Sequence, residues 1–140
     1  MNDLTVNLNK TINAPIERVF DAWLDPAMLA QFILPMPGMP EPEVENDARE
    51  GGSFSIVMDV GDNKIPHTGT YLIINRPIEL SFTWQSPFSV DDSQVTLLLS
   101  VIDTNTTHIE LTHNKFIDEE TRSNHAGGWS NILDMLREII

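Results

Sequence analysis

Chemistry in this chain would have to come from its histidines. There are four of them and no cysteine. The lack of cysteine removes disulfides, thiol nucleophiles and cysteine-based zinc sites. His67, His108, His113 and His125 form no H-x-x-x-H or H-E-x-x-H spacing, the arrangement that puts two imidazoles on one metal. Neither a metal nor any other cofactor is expected. His108 and His113 share an alternating segment and are five residues apart, so an unbulged strand points them to opposite faces. His113 goes with Ile109 and Leu111, on the side that should face inward. Two readings stay open for it. A neutral imidazole there can present one donor and one acceptor to a bound molecule. It can equally be a core histidine satisfied by backbone or a nearby hydroxyl, the usual state of a buried polar group.

Other catalytic patterns fare worse. Serines occur, but no G-x-S-x-G elbow does. Asp91-Asp92 and Glu119-Glu120 fall in a turn and at a helix start, where acids are simply solvated. "EGGSF" leads into a strand, so it lacks the helix N-terminus that holds phosphate. A cyclase or hydrolase would have to work with His113 and Tyr71. The residues therefore favour binding over catalysis.

The elements that would position these residues follow from hydrophobic period. "LTVNLNKTI" alternates, with Leu4, Val6 and Leu8 on one face and Ile12 after a shift. Ile16, Val19, Phe20 and Trp23 then fall at i, i+3, i+4, i+7, a helical stripe. "DPAMLAQF" opens a second short helix, with Asp25 as N-cap and Pro26 in the first turn. Prolines 35, 37, 40 and 42 argue against regular structure over residues 33–50. From Gly52 to His113 the pattern is strand. Phe54, Ile56, Met58 and Val60 share a face, as do Leu80, Phe82 and Trp84. So do Val95, Leu97, Leu99 and Val101, and then Thr107, Ile109, Leu111 and His113. Short turns join these runs, which implies an antiparallel meander. From about Glu119 to Ile140 the chain is helical again, its stripe running Ala126, Trp129, Ile132, Leu133, Leu136, Ile139, Ile140. Gly127 and Gly128 interrupt no phase of that stripe. They predict a close approach or a bend rather than a helix end. A twisted sheet with one apolar face needs a cover, and only this last helix is long enough. The expected fold class is α+β: a curved antiparallel sheet of about six to seven strands around a long C-terminal helix, with two short helices after strand 1.

The 140 residues fit one domain, 1–140. Hydrophobic residues are 41% of the chain, enough for a core with little apolar material to spare. Net charge is −13, which repels phosphate backbones and anionic lipid, so neither nucleic acid nor membrane is an expected partner. No apolar run approaches the length of a membrane span. The N-terminus has no signal-peptide pattern, and a cytoplasmic location is expected.

Several segments in this order resemble one family. They are "INAPIERVFDAWLDPAMLAQF", "DAREGGSFSIVM", "GTYLIINRPIELSFTW", "SQVTLLL", "IELTH" and "HAGGWSNILDML". The chain is similar to SRPBCC proteins, the START/Bet v 1-like superfamily, and within it to relatives of the activator of Hsp90 ATPase. The resemblance implies a helix-grip fold with an elongated cavity between sheet and helix. It further implies an apolar ligand such as a lipid, polyketide or flavonoid-like aromatic, or, as the alternative, a co-chaperone module that binds a protein partner. The lining residues expected on this reading are Phe32, Phe54, Met58, Tyr71, Phe82, Trp84, His113, Trp129 and Leu133. Met36 and Met39 would form an adaptable lip.

Overall fold

The computed structural model describes residues 4–33, 40–59, 63–86, 93–116 and 118–140. In chain order the elements are β1 (Thr5–Ile12), α1 (Ile16–Ala22), α2 (Pro26–Phe32), β2 (Glu43–Asn46), β3 (Ser53–Asp59), β4 (Lys64–Asn75), β5 (Glu79–Thr83), β6 (Gln94–Asp103), β7 (Thr106–Asn114) and α3 (Glu119–Ile139). Among the described residues the strands form one antiparallel sheet in the order β1-β7-β6-β5-β4-β3-β2. The meander from β2 to β7 thus runs across the sheet, and β1 returns to close its far edge on β7. α3 packs over the inner face and against β1 and α2, giving the α+β helix-grip arrangement.

Local rules account for most boundaries. The Asp25 carboxylate accepts from the Ala27 and Met28 amides, and Pro26 starts α2. Asp118 caps α3 by accepting from Thr121 N at 2.8 Å, with Glu119 and Glu120 at the positive end of the helix. Trp129, Ile132, Leu133 and Leu136 are buried, and Ala126, Ile139 and Ile140 pack at the margin of the core. α3 runs through Gly127 and Gly128 unbroken.

Four expectations need correcting. β1 has no shift: its register with β7 is regular from Thr5 to Ile12. Lys10 keeps the phase of Val6 and Ile12, and its ammonium pairs with Asp134 of α3. A cation on the inner face had disguised a continuous strand. β2 lies inside the segment expected to be irregular, because the proline restriction ends at Pro42 and a short edge strand can start directly after it. β4 starts at Lys64 rather than His67 and includes Pro66. Thr68 N donates to the carbonyl of Gln85, just after β5. The Pro66 nitrogen faces the same way, beyond that last bridge, so no ladder donor is lost. Val101 shares the inward phase of β6 but is 62% exposed, because the strand outruns the core. Val60 lies outside the described residues.

Candidate functional site

The inner face of β7 and the middle of α3 meet at His113, which is fully buried. Trp129 Nε1–H donates to His113 Nδ1 at 3.0 Å. An indole nitrogen only donates, so Nδ1 is the acceptor and the proton of the neutral ring sits on Nε2. Nε2 lies 2.6 Å from Ser93 Oγ and donates to it, and the Ser93 hydroxyl donates in turn to the Asn114 carbonyl at 3.1 Å. Burial, with the nearby His125 adding to it, lowers the His113 pKa to about 3. A serine and a histidine at this separation have the spacing of a nucleophile and its base. The tautomer is wrong for that task. The nitrogen facing Ser93 already carries the proton, and Ser93 itself is fully buried. The relay holds β7, α3 and the start of β6 together, and neither ring nitrogen of His113 is left for a ligand.

Beside this relay lies a cavity of about 180 Å³. Met58 of β3, His67 of β4 and Trp84 just after β5 line its sheet side. Asn124, His125, Gly128, Trp129 and Ile132 line its α3 side. The indoles of Trp84 and Trp129 have centroids 5.0 Å apart, as do the rings of His67 and Trp84. None of these lining residues is acidic, and none is lysine or arginine. His67 is buried, and its Nδ1 is enclosed with no hydrogen-bond partner; Trp84 Nε1 is in the same condition. Burial holds the His67 imidazole below its ordinary pKa, the backbone of Ile56 and Ile65 opposes this, and His125 adds to it. His67 is therefore neutral at pH 7. His125 Nδ1 donates to the Thr121 carbonyl at 2.9 Å, which leaves Nε2 as the ring nitrogen not committed to that bond. Among the described residues no group of three or more His, Asp or Glu gathers as a metal site would require.

The centre of the grip is packed. Between Trp23, Leu29, Ile33, Phe54, Ile56, Tyr71, Leu80, Phe82 and Trp84 only about 10 Å³ remains, close to the lower limit for a single water. A larger depression, about 640 Å³, crosses β2–β4 on the opposite side. Ser53, Ser55, Thr68 and Thr70 in its wall face solvent, which already satisfies them, so it is a weaker candidate.

The expected lining residues divide accordingly. Met58, Trp84 and Trp129 wall the 180 Å³ cavity. Phe54, Tyr71 and Phe82 wall the small gap, where the Tyr71 hydroxyl accepts from Asn46 Nδ2 at 3.1 Å. Burial raises the Tyr71 pKa, with the Asn46 bond opposing. Phe32 is a core ring, edge-on to Trp23 at 4.9 Å, and Leu133 is core. Met36 and Met39 lie outside the described residues. His67, Asn124, His125, Gly128 and Ile132 were absent from the sequence-derived lining. Two signals were available: His67 has the strand phase of Tyr71, and His125 stands one helical turn before Trp129.

The model of the family described as activator of Hsp90 ATPase homolog 1-like protein matches residues 13–140. The chain belongs to this family. No curated protein matches it by sequence. Among solved structures, protein CV1439 from Chromobacterium violaceum is 22% identical with a TM-score of 0.80, over 97% of this chain and 96% of that one. CalU16 from Micromonospora echinospora is 27% identical with a TM-score of 0.72, over 94% of this chain and 73% of that one. PFC0360w, an HSP90 activator from Plasmodium falciparum, is 21% identical with a TM-score of 0.72, over 90% and 87%. Membership of the activator-like family accounts for the grip architecture.

Proposed function

We propose that the protein binds a small, largely apolar molecule in the 180 Å³ cavity between α3 and the sheet, without catalysing a reaction on it. The observation that carries this reading is unfilled space beside a buried histidine, in a wall that includes Trp84, Trp129, Met58 and Ile132. An apolar cavity of roughly 150 Å³ accepts benzene, whereas drug-sized ligands occupy about 300–1,000 Å³. The volume therefore favours one ring over a lipid, polyketide or flavonoid. Two of the three tryptophans line the space, so toluene can be titrated against indole emission. A saturable change that disappears in Gly128→Leu supports the reading. No saturable change in the wild type removes it.

The second reading is a co-chaperone module acting on a protein partner. The family description and the Plasmodium HSP90 activator favour it. Leu72, Ile73, Ile78, Leu98, Val101 and Ile102 are exposed on β4, the turn after it and β6, and would serve as the contact. Addition of the protein to an Hsp90-type chaperone should then change its ATPase rate, and an unchanged rate removes this reading. Either role suits a cytoplasmic location, which we infer from the absence of cysteine. The charge of −13 disfavours nucleic acid and anionic lipid as partners.

A further inference from the structure

The polar groups around the side cavity narrow what it can hold, provided that it is the binding site proposed above. No acidic or basic side chain other than histidine lines it, so an ionised ligand would meet no countercharge in the wall. Burying an unpaired charge is among the costliest arrangements in a protein. His67 is neutral, as argued above. His125 has its Nδ1–H committed to the Thr121 carbonyl, so the nitrogen it can offer is an acceptor. The matching ligand group is a neutral donor. Asn124 adds a neutral amide to the wall, and the remainder is apolar, with the Trp84 and Trp129 rings tilted 58° to each other. One planar ring matches both the shape and the volume.

We infer that the cavity takes a neutral monocyclic phenol, its ring against Trp84 and Ile132 and its hydroxyl donating to the His125 ring. A benzoate-type anion is disfavoured by the missing countercharge. A plain hydrocarbon ring fills the space but offers nothing to His125 Nε2.

Three probes of one size separate these cases: phenol, toluene and benzoate, titrated at pH 7.5 against tryptophan emission. Phenol should bind about fivefold or more tighter than toluene, the worth of one net neutral hydrogen bond, and benzoate weakest. His125→Phe keeps a ring against Phe116 and His113 and removes the nitrogen. It should abolish the preference, so that phenol and toluene bind this variant equally. Equal binding of phenol and toluene in the wild type overturns the phenol assignment while the cavity remains a binding site. Tighter binding of benzoate than of phenol overturns it as well. Phenol preference that survives in His125→Phe refutes the role of His125. Failure of all three probes removes both the ligand class and the site.

Discussion

Protonating His113 would set two N–H groups against each other at Nδ1, where Trp129 already donates. That conflict has a consequence for stability. In the unfolded chain a histidine titrates near 6.5, at about its model value; in the fold His113 titrates at about 3. Between these limits the unfolded chain binds the extra proton, so stability falls as pH falls. The slope from this one residue is about 1.4 kcal/mol per pH unit. The contribution is complete above roughly pH 6.5 and is lost on the way down to the folded pKa. Urea unfolding at pH 7 and pH 5, compared between the wild type and His113→Leu, should show their stability difference shrink by roughly 2 kcal/mol. An unchanged difference would mean that His113 is not held neutral. Ser93→Ala leaves the buried Nε2–H without an acceptor and should cost about 1–3 kcal/mol. Because Ser93 does not line the cavity, toluene affinity should not move. A parallel loss of affinity would show that the relay and the cavity are one unit.

The glycines of α3 and β4 have opposite roles at the scale of elements. A Cβ built on Gly127 meets nothing within 4 Å, so the close approach expected there is absent. Gly127 sits in a helix interior at an exposed position, where glycine is costly relative to alanine. Gly127→Ala should therefore raise stability by about 0.5–1 kcal/mol, read from chemical unfolding. A decrease would mean that α3 needs flexibility at this point. In β4 a Cβ on Gly69 would stand 2.0 Å from the Thr83 carbonyl oxygen and 2.4 Å from the Phe54 ring. Gly69→Ala should destabilise the sheet severely, because backbone and a packed ring would both have to shift. At the start of α3, Asp118→Ala removes the bond to Thr121 N and should cost about 1 kcal/mol. These differences were only half legible beforehand. Sequence phase located the helix and its cap, but a glycine's reason for being glycine depends on what lies opposite, and that is another element.

For the whole molecule the question is where the grip is filled and where it is not. The inward rings and aliphatics expected to line one elongated cavity mostly touch each other. Phe54, Tyr71 and Phe82 have ring centroids 5.3–6.4 Å apart, and almost no space survives between them. The remaining volume is displaced to one side, at Gly128 and His125. Gly128→Leu should be tolerated by the fold, since its side chain has this space to enter, and should abolish toluene binding. A folded Gly128→Leu protein that still binds toluene would place the ligand elsewhere.

Strand phase, helix period, caps and turns needed only local physics, and the sequence alone determined them: the α+β class, the cover by α3, and the inward direction of His113, Trp84 and Trp129. Whether an inward residue is wall or filling depends on how closely opposing faces approach. A sequence carries no measure of that distance. Tertiary structure decided that His113 is spent on Ser93 and Trp129, that Lys10 reaches Asp134, and that His67 and His125 stand at the edge of a largely apolar space beside the core.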